Sequence, residues 1–227
     1  MDNIEINNIS FKYEKGLSIF SDFSLKLNSE EITVLMGKNG SGKTTLSKLI
    51  VGILKIQKGE IYIFGHNLLN LTLGQTGELI GYVFQYPERQ LFARSVVEEM
   101  TFPLIFKGMS KEKAYEQAEE MLRVFELGHV KNSYPLYLSY GEKRRLAIAS
   151  VLMNKPRYLV LDEPTSSLDK ERIDTLLKVL YKLKERKIGM LVISHNKEFI
   201  NKLGSRIIKL EGGKVVSDTR YEIGSSD

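Results

Sequence analysis

Eight consecutive residues, Gly37-Lys38-Asn39-Gly40-Ser41-Gly42-Lys43-Thr44, fit the pattern G-x-x-x-x-G-K-[ST] without a gap. Such a loop is a phosphate cradle. Its glycines let backbone N–H groups turn inward around phosphate oxygens, and a following helix adds the positive end of its dipole. An amine at Lys43 reaches the outer phosphates of a nucleoside triphosphate, and a hydroxyl at Thr44 ligates Mg²⁺. Thr45, next in line, belongs to the same nucleotide-binding set. A second group of reactive side chains is Asp162-Glu163. An Asp beside a bound triphosphate holds Mg²⁺ through its water shell, and an adjacent Glu polarises a water for in-line attack on the terminal phosphate. Gln85 and His195 supply a further amide and imidazole, and Tyr13 a ring able to stack on a nucleobase.

These residues need elements that bring them together, and the pattern supplies them. Glu31–Met36 reads as a short buried strand and the segment from Thr45 to Ile50 as the start of a helix, so the glycine loop lies between strand and helix. Tyr158–Asp162 is apolar on both faces, as a central parallel strand should be, and ends on the acidic pair. Leu79–Phe84 ends at Gln85, and Gly189–Ser194 ends at His195. All four candidates then sit at the C-terminal edge of one sheet, where parallel α/β sheets bind ligands.

Around this core, residues 2–27 read as antiparallel strands with a turn at Lys15-Gly16, and Gly59–Gly65 as another strand. Residues 86–108, with Pro87 and Pro103 and no long period, read mainly as loop with short helical pieces. Ser110 is placed to cap a helix carrying Ala114, Ala118, Met121, Leu122 and Phe125 on one face, with Gly128 as its stop. Helices are expected over residues 142–153 and roughly 170–187, and a hairpin pairs 206–210 with 214–217 across Gly212-Gly213. Strands alternating with helices predict an α/β fold with a mostly parallel sheet.

Composition narrows the classes. With 227 residues and a 42% hydrophobic fraction the chain has ample length for a core. No cysteine is present, which excludes disulfides and thiolate metal sites. No apolar run approaches membrane-spanning length, and Met1–Glu5 does not read as a signal peptide. The expected location is the cytoplasm, or a membrane surface reached through a partner. A net charge of +5 is too small to argue for nucleic acid.

Taken in order, the motifs resemble those of the ATP-binding cassette (ABC) ATPases, over a stretch from about Ile4 to the C-terminal hairpin. Tyr13 matches the family's A-loop aromatic, Gly37–Thr44 its Walker A motif and Gln85 its Q-loop. Leu138-Ser139-Tyr140-Gly141-Glu142 matches the signature, Leu159–Pro164 Walker B, Ser167-Leu168-Asp169 the D-loop, and His195 the switch histidine. The resemblance implies a P-loop NTPase fold with an N-terminal antiparallel β subdomain and a helical subdomain over roughly 86–154. It implies ATP and Mg²⁺ as ligands, with Thr44, Gln85 and Asp162 on the metal side and Glu163, Gln85 and His195 as the catalytic set. It also implies two cassettes, identical or paralogous, paired head to tail, with Ser139 and Gly141 of one facing the nucleotide of the other. The signature departs from Leu-Ser-Gly-Gly-Gln at two places, where Tyr140 adds bulk and Glu142 adds negative charge beside an expected phosphate.

Phe84–Phe92, followed by Val96-Val97-Glu98-Glu99, resembles the energy-coupling factor (ECF) and cobalt/nickel importer ATPases. That implies an ATPase at the cytoplasmic face of the cell membrane, working with an integral membrane transporter subunit and a membrane substrate-binding subunit. Two alternatives stand beside it: the ATPase of another ABC transporter, exporter or importer, and a non-transport ABC ATPase.

Overall fold

The computed structural model describes residues 3–14 and 16–221. β1 (Asn3–Lys12) and β2 (Ser18–Asn28) pair antiparallel, and in the connection the Gly16 amide donates to the Tyr13 carbonyl. Lys15, expected in this turn, lies outside the described residues. β3 (Ile32–Met36) leads through the glycine loop into α1 (Lys43–Ile50). β4 (Lys58–Ile63) and the two-residue β5 (His66–Asn67) complete an antiparallel sheet of order β2-β1-β4-β5. α2 (Leu73–Leu79) then enters β6 (Ile80–Val83).

Residues 86–108 are more helical than the loop with short helical pieces expected of them. α3 (Val96–Phe106) is an eleven-residue helix, capped by Ser95 and carrying Glu98 and Glu99 in its first turn. Its buried residues spread around the helix, so no clean period marks it, and Pro103 is accommodated inside it at the loss of one backbone bond. α4 (Lys111–Val124) starts at Ser110 as expected, but Gly128 does not stop it. The chain leaves at Glu126, with φ 55°, and the Leu127 amide returns to the Leu122 carbonyl. That six-to-one bond satisfies a terminal carbonyl without a glycine.

α5 (Tyr140–Met153) precedes β7 (Tyr158–Asp162), α6 (Lys170–Glu185), β8 (Met190–Ile193), α7 (Lys197–Leu203) and the hairpin β9 (Arg206–Glu211) and β10 (Lys214–Arg220). The second sheet runs β10-β9-β3-β8-β7-β6, parallel throughout except for β10. Its central strands are buried on both faces. In β7, Tyr158 and Val160 join a core shared with α1 and the antiparallel sheet, while Leu159 and Leu161 join a core built with α3 to α6. Each fully buried leucine of this kind contributes about 2 kcal/mol. A one-residue slip would exchange the two cores, so the register that sets the C-terminal strand ends is fixed firmly. Among the described residues no helix is long and apolar enough to cross a membrane.

Candidate active site

The C-terminal edge of the parallel sheet gathers the candidates into one cleft of about 400 Å³. β3 delivers the glycine loop, β6 leads to Gln85, β7 ends on Asp162 and passes to Glu163, and β8 leads to His195. Tyr13 reaches in from the end of β1, its hydroxyl 3.1 Å from Thr45 Oγ1 and its ring edge-on to Phe11. Asn39, Gly40, Gly42, Lys43, Thr44 and Thr45 line the same space, with Ile19 and Ile193, which the sequence did not single out.

The loop is held from below at two glycines. A methyl on Gly37 would stand 2.3 Å from the Leu210 carbonyl oxygen, and one on Gly42 would stand 2.8 Å from Phe20 Cζ. Gly42 also takes φ 103°, a backbone that favours glycine, and it brings no side-chain acceptor to α1. The first-turn amides of α1 therefore remain to meet an anion. Lys43 Nζ donates to the carbonyls of Gly37 (2.7 Å) and Lys38 (3.0 Å), which folds its amine over the loop. Burial lowers the pKa of this amine, while Glu163 and Asp162 pull it back up. Ser41 Oγ is buried without a hydrogen-bond partner.

Asp162 is 1% exposed, and neither carboxylate oxygen has a hydrogen bond of normal geometry. Burial raises its pKa, opposed by the neighbouring Thr44 hydroxyl and by Lys48, Arg144 and Lys43. An orphaned buried carboxylate beside a hydroxyl is an oxygen donor set suited to a small hard cation, so these residues fit Mg²⁺. Glu163 sits at φ 51°, its amide bonded to the Ile193 carbonyl at 2.9 Å and its Oε1 3.4 Å from His195 Nε2. Burial raises the Glu163 pKa, and His195 lowers it in part. Non-glycine residues at positive φ carry backbone strain that persists only where the surroundings enforce it.

Ser139 and Gly141 do not join this cleft. They line a second one, of about 590 Å³, with Glu142, Arg145, Asp169 and Arg172. Ser139 caps α5 through a reciprocal box: Glu142 N donates to Ser139 Oγ (3.3 Å), and Ser139 N and Oγ donate to Glu142 Oε2 (2.9 and 2.6 Å). The other Glu142 oxygen is 3.1 Å from His129 Nε2. The negative charge that looked misplaced beside a phosphate is thus engaged locally, and the Ser139 bond holds the Glu142 carboxyl below its ordinary value. Arg172 pairs with Asp169 in the same cleft.

Sequence reasoning missed Arg144, which is fully buried on α5. Arginine is mostly a surface residue, and nothing in Lys143-Arg144-Arg145 marks the middle cation as interior.

The family model described as "ABC transporter" matches residues 20–166. A protein of Pyrococcus furiosus named "Putative ABC transporter ATP-binding protein" is 34% identical over 93% of this chain and 81% of its own length. A like-named relative from Clostridium perfringens is 32% identical, and the chain spans 38% of its length. Among solved structures, a dimeric ATP-binding cassette in a post-hydrolysis state with ADP and Pi bound superposes with TM-score 0.86. It shares 30% identity, covering 96% of this chain and 98% of that one. Another is cbiO1 of Clostridium perfringens, part of the ABC transporter complex cbiONQ, with TM-score 0.82 and 26% identity over 96% of this chain and 88% of that one.

Proposed function

The chain belongs to the ABC transporter family, and from that premise we propose that it is the ATP-hydrolysing subunit of an ECF-type membrane importer, taking up a vitamin or a metal ion. The α1 amides and Lys43 bind the phosphates, and Tyr13, 43% exposed, offers its ring to the adenine. Thr44, Gln85 and Asp162 would hold Mg²⁺, which when bound neutralises charge on the β- and γ-phosphates. Glu163, its pKa raised by burial, accepts a proton from the attacking water, and His195 orients its carboxylate.

A second cassette, identical or paralogous, would lay its own signature over this nucleotide, and Ser139 and Gly141 would serve the nucleotide of that partner. The dimeric assembly of the related cassette supports this arrangement. Closing and opening of the pair would then drive the membrane partner.

One observation carries the membrane partner. Phe102 and Phe106 of α3, 48% and 81% exposed, stack on each other, and Phe92, 63% exposed and ahead of the helix, meets Phe102 edge-on, beside a groove of about 560 Å³. Arg94, Glu98 and Lys111 edge it. An apolar floor with a charged rim fits a short amphipathic helix of an integral membrane subunit. That arrangement would hold the chain at the cytoplasmic face of the membrane. The cbiO1 match, to one chain of a multi-chain transporter complex, supports a cassette that works with separate membrane chains.

A gentle-detergent pull-down from native membranes tests this. Recovery of a polytopic subunit together with a small substrate-binding membrane protein is expected, and Phe106→Glu should abolish it. Recovery with ribosomes or DNA alone would sink the transport role.

A further inference from the structure

The departure at Tyr140 is tied to the other cleft. Ser139 and Gly141, on either side of it, line the second cleft, while the Tyr140 hydroxyl donates to the Gln85 carbonyl at 3.2 Å. The same hydroxyl accepts from Arg144 Nη2 at 3.1 Å, and the guanidinium lies 5.5 Å from the Tyr140 ring centre. Arg144 Nη1 donates to the Phe84 carbonyl at 2.8 Å, and Nη2 also bonds the Gln85 carbonyl. One turn further on, Gln90 accepts from the Phe84 amide (3.3 Å) and donates to the Ala147 carbonyl (3.0 Å). The segment that carries Gln85 is therefore bonded to α5 at Tyr140, Arg144 and Ala147, on successive turns.

The burial of a cation makes this attachment firm. Arg144 is 0% exposed, and both Nη atoms of its guanidinium are met by two backbone carbonyls and a phenol while Nε is left without a partner among the described residues, with the Asp162 and Glu88 charges acting at longer range. A buried cation held by carbonyls cannot let them go without being left unpaired, a change opposed by the full desolvation of the group. Glycine at position 140 would leave Arg144 without its phenol. Tyrosine shares the Gln85 carbonyl with the cation, and it does so from the turn that presents Ser139 to the second cleft.

We infer that Tyr140 is a positioning residue that, with Arg144, locks Gln85 to the signature turn of the same chain, so that the two clefts of one cassette move as a unit. Nucleotide at the glycine loop would then pre-set the signature offered to the partner. The inference rests on the ATPase reading above, and its test keeps the two apart.

The test compares the full chain with Tyr140→Phe, which deletes one hydroxyl and keeps the ring over Arg144. At a dilution where light scattering gives a monomer, amide hydrogen exchange is followed with and without a non-hydrolysable ATP analogue. In the parent chain exchange should slow in both 84–91 and 139–147; in the variant the slowing in 84–91 should be kept and that in 139–147 reduced, since the Arg144 and Gln90 bonds to the segment remain. Turnover should fall roughly 2- to 10-fold, the range for one hydrogen bond, with KM for ATP unchanged. A signature segment that ignores nucleotide in the parent chain, or responds as fully in the variant as in the parent, overturns the inference. So does a loss that falls equally on nucleotide affinity, which would make Tyr140 mere local scaffolding. A parent chain that neither binds nor hydrolyses ATP removes the ATPase reading, and the inference with it.

Discussion

The two clefts are built on opposite principles. In the first, polar groups stand unmatched: both Asp162 oxygens and Ser41 Oγ lack partners, and Lys43 is turned back on its own loop. In the second, polar groups are matched internally, with Glu142 shared between Ser139 and His129, and Asp169 held by Arg172. Unmatched buried groups destabilise a fold and are tolerated where a ligand completes them. Matched ones make a rigid shape. The first cleft is arranged to receive a charged ligand, and the second to be presented as a preformed surface.

Glu163→Gln tests this contrast with the largest effect, because it touches the group proposed as the general base. Turnover should fall about 100-fold or more while nucleotide binding persists, the scale of losing a general base. Undiminished turnover would remove Glu163 from that role. Lys43→Ala should weaken ATP affinity roughly 10- to 100-fold, as expected for a lost charge-assisted bond, and a titration with a fluorescent ATP analogue reads it directly.

Asp162→Asn should do two things at once. Mg²⁺ should no longer tighten nucleotide binding, and the nucleotide-free fold should gain about 1 kcal/mol in a urea titration, because an orphaned charge has been removed. The gain has a pH signature. With its folded pKa raised by burial, Asp162 keeps a proton that the unfolded chain has already lost. Its penalty therefore grows as pH rises from the ordinary aspartate value through the raised one, is complete above that, and vanishes in acid. Equal stability of variant and parent at neutral pH would contradict the contrast drawn between the clefts.

Glu142 should show the opposite sign. Its folded pKa is lowered by the bond to Ser139, so its contribution is present above the ordinary glutamate value and fades as pH falls through the lowered one. Glu142→Gln keeps the reciprocal cap and should leave turnover within about twofold, whereas Glu142→Ala should lose about 1 kcal/mol of stability. A large gain in turnover from Glu142→Gln would mean that the charge reaches a phosphate after all.

Much of this was legible in the sequence because it depends on local chemistry. A glycine loop between strand and helix, a strand that ends on Asp162, and strands that stop two residues short of Gln85 and His195 place these side chains at one sheet edge, as the apolar runs suggest. Four features escaped. α3 escaped because it is buried around much of its circumference and contains a proline, which blurs the helical period. The stop at Glu126 escaped because a left-handed residue need not be glycine when tertiary packing enforces it. α2 could have been found: Thr72 and Gln75 form a capping box with the three-residue spacing that marks a helix start. The Arg144 link could not, since it joins residues about sixty apart through backbone carbonyls, which have no letter in the sequence.

The left-handed backbone at Glu163 bears on how such a protein ages in evolution. The proposed mechanism asks for glutamate there, while the backbone would sit more easily with glycine or asparagine. Under relaxed selection, drift at this position has a downhill direction, and each step along it silences the motor while relieving the fold. A lineage that no longer needs the transporter would be expected to leave behind sturdy, catalytically dead cassettes rather than unfolded ones.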